Sequence, residues 1–151
     1  QNEGPVWELR ALSFPRKHYS HKQPVIDAIS GASPYALHDQ IPVNSDLDDA
    51  ARRGEQLFQE NCAFCHAADG TGRNWIGSFL ESRPRDLTGH QIESMNELQL
   101  QEAILNGLPG TSMPAWRNVL NKSQINDIIA YIKLGLGLKN LSAHKMPDDD
   151  S

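Results

Sequence analysis

Apolar positions recur at helical spacing in three stretches of this chain, and nowhere do apolar and polar residues alternate for long as they would in a strand. The first stretch places Leu47, Ala50, Ala51, Gly54, Leu57 and Phe58 on one face. Ser45, with Asp48 three residues on, resembles a capping box with Asp in place of Glu, so a helix is expected from there into Cys62. Gly54 interrupts its apolar face at a cost of ~1 kcal/mol against alanine. Such a glycine is best tolerated where a second helix crosses closely. Another helix is announced by Ser94 with Glu97, continues through Leu98, Leu100, Ile104 and Leu105, and ends at Asn106-Gly107. The last starts at Ser123 and carries Ile125, Ile128, Ile129, Ile132 and Leu136 on one broad face, loosened at its end by Gly135 and Gly137. The pattern predicts an all-α protein.

Loops are equally legible. Asp69-Gly70-Thr71-Gly72 is rich in turn residues, and Pro84 precedes the Arg85-Asp86-Leu87-Thr88-Gly89 segment. The stretch from Leu108 to Trp116 holds two prolines and a glycine and reads as one long loop. Residues 1–45 carry five of the nine prolines, which forbids long helices there beyond a short one from Pro24 to Ile29. Trp7, Leu9, Leu12, Phe14 and Tyr19 are too apolar for a disordered leader, so an extended arm docked on the main domain or on a partner is expected. The organisation is therefore an arm over 1–45, a helical domain over 46–140 and an acidic tail over 141–151.

Composition narrows the class. The chain has 151 residues, 38% apolar, with a mean hydropathy of −0.54. No apolar run approaches the ~20 residues that span a bilayer. Net charge is −5, and setting aside Asp148, Asp149 and Asp150 of the tail leaves −2. Basic residues are scattered rather than striped, which argues against a nucleic-acid partner. The acidic balance suits a positively charged redox partner, or simply a solvated surface. No basic, apolar signal region opens the chain at Gln1, as expected of a mature, exported form.

Chemistry enters with Cys62-Ala63-Phe64-Cys65-His66. This run attaches a c-type haem: each thiol adds across one vinyl group, and the next residue is aimed at the iron. A disulfide between Cys62 and Cys65 would close a very small, strained loop. A thioredoxin-like pair needs a βαβ setting that is missing from the pattern. Zinc needs two more ligands in register, and His90 stands alone downstream.

A second axial ligand restricts a haem to passing electrons. His66 supplies the first through its outer nitrogen, its other nitrogen donating to a backbone carbonyl. Of Met95, Met113 and Met146, only Met113 lies in the long loop between two core helices, 47 positions beyond His66. Met95 lies at the start of a helix and Met146 beside the acidic tail. The rivals are His90, and His18, His21 and His38 of the arm, each more ordinary as a surface histidine. Trp75, Phe79, Leu80, Leu87, Leu98 and Ile104 are candidates to pack around the porphyrin. Trp75, Arg83 and Arg85 carry N–H donors for its propionates, Arg85 foremost because the Pro84 bend fixes it.

Over residues 46 to about 138 the chain resembles a bacterial class I, single-haem cytochrome c. The resemblance rests on the Cys62–His66 run, the Asn106–Trp116 stretch around Met113, and the terminal Ile128…Tyr131-Ile132 helix. In that family the first and last helices cross at a glycine–aromatic contact, matched here by Gly54 and Phe58 against Ile128 and Tyr131. The resemblance implies at least three helices around one covalent haem, His66 and Met113 as iron ligands, and one-electron transfer in the bacterial periplasm. It also implies redox partner proteins. The arm favours a subunit of a larger oxidoreductase over a free shuttle. A haem-based gas sensor with a displaceable methionine, or a peroxidase-like enzyme, are the other readings.

Overall fold

A computed structural model describes residues 34–137. The expected Pro24–Ile29 helix, the arm residues up to 33, Met146 and the acidic tail lie outside the described residues. Among the described residues the secondary structure is entirely helical, without strands, in agreement with the all-α expectation. One 3-10 turn, Ala36–Asp39, precedes six helices. These are α1 Asp49–Asn61, α2 Ala63–His66, α3 Trp75–Phe79, α4 His90–Ser94, α5 Glu97–Asn106 and α6 Lys122–Leu134.

The three long helices occupy the predicted stretches, but each begins later or earlier than the serines suggested. In α1 the cap is Asp48, whose carboxylate accepts from the Ala51 amide at 2.7 Å, while the Ser45 hydroxyl donates to Asp46. In α5 and α6 the caps are Asn96 and Asn121. Each closes a capping box with a glutamine, Gln99 and Gln124, whose side chain accepts from the cap amide at 2.9 Å. The asparagine–glutamine pair satisfies two orphan amides in this way, and it takes the start of the helix from the nearby serine. Ser94 instead ends α4, a helix the pattern did not announce. Gly107, with φ +66°, stops α5 as expected.

The core is built where α1 and α6 cross. A Cβ at position 54 would run into the Asp127 carbonyl and lie 2.9 Å from Tyr131 Cβ, so only glycine permits this approach. The Phe58 and Tyr131 rings meet at 5.5 Å, and both are fully buried. Ala51, Ile125, Ile128, Ile129 and Ile132 complete the seam. At its edge Arg53 donates to both carboxylate oxygens of Asp127, at 2.8 and 3.0 Å. The Asp127 side chain is only 12% exposed, and the two-pronged contact supplies its charge partner. The Tyr131 hydroxyl is buried without a hydrogen-bond partner among the described residues, and Gln59 gives an N–H to Ala68 O at 2.8 Å. Burial lifts that phenol to about 12.

Two substitutions test this crossing. Gly54→Ala gains helix propensity yet overpacks the seam, and the holoprotein should lose about 1–3 kcal/mol in denaturant unfolding. Tyr131→Phe keeps the ring and removes an unpaired hydroxyl, so its unfolding midpoint should stay level or rise.

Candidate functional site

The α1–α6 seam delivers the end of α1 to the two cysteines. Cys62 closes α1, its amide donating to Phe58 O at 2.7 Å, and in the same step opens the single turn α2. Cys65 and His66 donate their amides back to Cys62 O at 3.1 and 2.9 Å, which puts both thiols and the imidazole on one compact turn. Both cysteines are free. Burial, and then the neighbouring Cys65, pushes the Cys62 thiol up to about 12; burial also raises Cys65. Both are therefore neutral thiols at physiological pH. Burial lowers the pKa of His66, with the hydrogen bond to Arg85 opposing, so the ring is in its neutral, metal-binding form at neutral pH.

The hydrogen bond expected of His66 is present: Nδ1 lies 3.1 Å from the Arg85 carbonyl. With Nδ1 as donor, Nε2 is left as the ligating nitrogen. Directly after His66, Ala67 sits at φ +64°, ψ +161°, backbone that side chains other than glycine rarely adopt and that costs about 1–3 kcal/mol. The turn it makes is returned by Gly72, whose amide donates to His66 O at 2.7 Å. Leu87 donates to Gly70 O at 2.8 Å, and Asp86 accepts from both the Thr88 amide and hydroxyl, fixing the segment that carries the Arg85 carbonyl.

Asn74 was missed by sequence reasoning. Its carboxamide oxygen caps α3 at the Gly77 amide, 2.6 Å, while its N–H group serves the carbonyls of Ala63 and Phe64 at 3.2 and 2.8 Å. One buried side chain thus ties α3 to the cysteine turn. Its signal in the sequence was an asparagine directly ahead of the apolar Trp75-Ile76 pair.

Met113 sits in a loop held by its own backbone. Leu108 donates to Met113 O at 3.2 Å, Thr111 bridges Leu108 O and the Met113 amide, and Trp116 donates to Ile104 O. Gly107 must lack a Cβ, which would lie 2.7 Å from Met113 O. Met113 and Met95 are both partly buried against the core. Met95, however, has its sulfur 3.8 Å from Arg85 Nη1.

Of the other candidates, Trp75, Phe79 and Leu98 are 60%, 72% and 65% exposed. Trp75 and Phe79 pack on each other at 5.5 Å, and Leu98 shares a surface groove with Gln101, Lys122 and Asn126. Leu87 and Ile104 are buried as expected. The Arg85 guanidinium lies 3.8 Å from the Met95 sulfur, and its main-chain oxygen meets the His66 ring. Arg83 lies with Arg73 and Asp86 on a cleft of about 220 Å³. His90 is 87% exposed beside Glu93, and His38 is engaged by Asp69.

Two neutral thiols and a neutral imidazole thus share one turn. That chemistry fits a covalently held haem.

Comparison with known proteins gives the same answer. The family described as cytochrome c oxidase, cbb3-type, subunit III matches residues 49–132, more than half of the chain. A cbb3-type cytochrome c oxidase subunit CcoP from Azospirillum brasilense is 31% identical over 83 residues, 55% of this chain and 28% of that protein. Cytochrome c55X from Paracoccus denitrificans is 33% identical over 86 residues, 56% of this chain and 75% of the relative. The chain thus spans little more than a quarter of the oxidase subunit's length. A chain from a reducing HAO-like protein complex of Kuenenia stuttgartiensis shares the fold, with a TM-score of 0.51 at 16% identity, over 74% of this chain and 51% of that one. Among the described residues no helix is long and apolar enough to cross a membrane. With its cysteine turn, its methionine loop and this match, the chain belongs to the cbb3-type subunit III family of class I c-type cytochromes.

Proposed function

We propose that this chain carries single electrons on one c-type haem, joined through thioether bonds to Cys62 and Cys65 and ligated by His66 and Met113. The observation that carries this reading is the His66 ring, its Nδ1 committed to the Arg85 carbonyl on the same turn that presents two free thiols. When bound, the haem supplies a ferrous/ferric couple. The chain does the rest. Its cysteines fix the ring, and its two axial ligands leave no open position for a substrate. The thioether of Met113 is a weak donor, which favours the ferrous state and raises the potential above that of a bis-histidine site. A single CxxCH run with the chain's two cysteines supports one haem per chain.

Work in the periplasm, as a redox carrier or as the electron-transfer subunit of a larger oxidoreductase, is the setting this reading favours. Both kinds of protein occur among the relatives, an oxidase subunit and a small cytochrome. Electrons enter and leave by brief docking with redox partner proteins over a small surface.

Met113→Ala should abolish the iron–thioether near-infrared band of the ferric protein, lower the potential and let carbon monoxide bind the ferrous form. Persistence of the band would assign the ligand to Met95 or Met146. Asn74→Ala strips the Ala63 and Phe64 carbonyls of their donor. Thermal unfolding should then show a loss of about 1–3 kcal/mol, with less haem attached per chain.

A further inference from the structure

His38 precedes the family match, which begins at residue 49, yet it reaches the loop that follows His66. Its Nδ1 donates to Asp69 Oδ2 at 2.6 Å, and its own carbonyl accepts the Asp69 amide at 3.3 Å. The two residues therefore grip each other at both side chain and backbone. Both side chains are about three-quarters buried, at 23% and 21% exposure. The other carboxylate oxygen of Asp69 takes the Thr71 amide at 3.1 Å and the Thr71 hydroxyl at 2.7 Å.

That loop is the frame of the proximal hydrogen bond. It starts at the strained Ala67, and a non-glycine residue with that backbone persists only where its surroundings overdetermine it. Gly72 returns the chain to His66 O, and a Cβ there would lie 2.6 Å from Pro84 O. Gly70 O receives the Leu87 amide, two residues past the carbonyl that His66 uses. Asp69 lies in the middle of these contacts.

We infer that His38 is a positioning residue: its pair with Asp69 clasps the segment ahead of the helical domain onto the 67–72 loop and so holds the Arg85 carbonyl against the His66 ring. The inference rests on His66 ligating haem iron. A firm Nδ1 hydrogen bond makes the imidazole a stronger donor, which favours ferric iron. Loosening it shifts the couple the other way.

The test uses the full-length holoprotein with His38→Gln and Asp69→Asn, singly and combined. Readouts are the midpoint potential and, in the ferrous state, proton exchange at His66 Nδ1 and at the Leu87 amide. Each single variant should raise the potential and speed both exchanges by about fivefold, and the double variant should add little more. Asn44→Ala cuts a different tether of the same segment, to Gly135 O at 3.2 Å, and should leave all three readouts at wild type. Unchanged potential and exchange in the His38 and Asp69 variants would overturn the clasp, as would an equal shift from Asn44→Ala. Failure of the haem reading would show separately, as a wild-type spectrum without low-spin His/Met character. The Leu87 exchange would still test the clasp in that case.

Discussion

Helices Asp49–Asn61 and Lys122–Leu134 touch backbone to backbone at Gly54, where the Asp127 carbonyl occupies the space a side chain would need. That approach seats Phe58 on Tyr131 and brings the last turn of the first helix to a fixed place in the core. Cys62 is the cap of that turn, so the register of the crossing is also the register of the cysteines. A larger residue at 54 would part the helices and move the site with them. The intrinsic helix cost of glycine is the smaller quantity, and packing decides.

From Cys62 onward the geometry is propagated by hydrogen bonds more than by apolar contact. The turn Ala63–His66 closes on Cys62 O, Asn74 holds its outer carbonyls, and the loop behind it returns at Gly72. Only then does the Arg85 carbonyl meet His66. Each of these links ends on a main-chain carbonyl. A domain of this size has little apolar material beyond that crossing, and a bound porphyrin would add to it.

Much of this was visible in the residues. Helical periodicity located all three long helices, and the odd glycine at 54 announced the crossing before any coordinates did. The spacing of Cys62, Cys65 and His66 announced one compact turn, and a backbone acceptor for the His66 ring was expected, though not which residue supplies it. Boundaries were less legible, because serine and asparagine compete as caps and only the side-chain geometry shows which one captures the amides. The short helices at 75–79 and 90–94 are a turn or so each, too brief to establish a period. The exposure of Trp75, Phe79 and Leu98 was not legible in their hydrophobicity, since small domains do not bury every apolar side chain. Roles played through the main chain, as at Arg85, or through pairing across 31 positions, as between His38 and Asp69, leave no local pattern to read.

The central claim is that Cys62 and Cys65 are consumed by one porphyrin. Peptide mass mapping of protein purified from a host able to mature c-type cytochromes tests it most directly. The account predicts that the peptide spanning 62–66 carries the mass of one haem and resists thiol alkylation at both cysteines. Two freely alkylated thiols on an otherwise folded chain would contradict it.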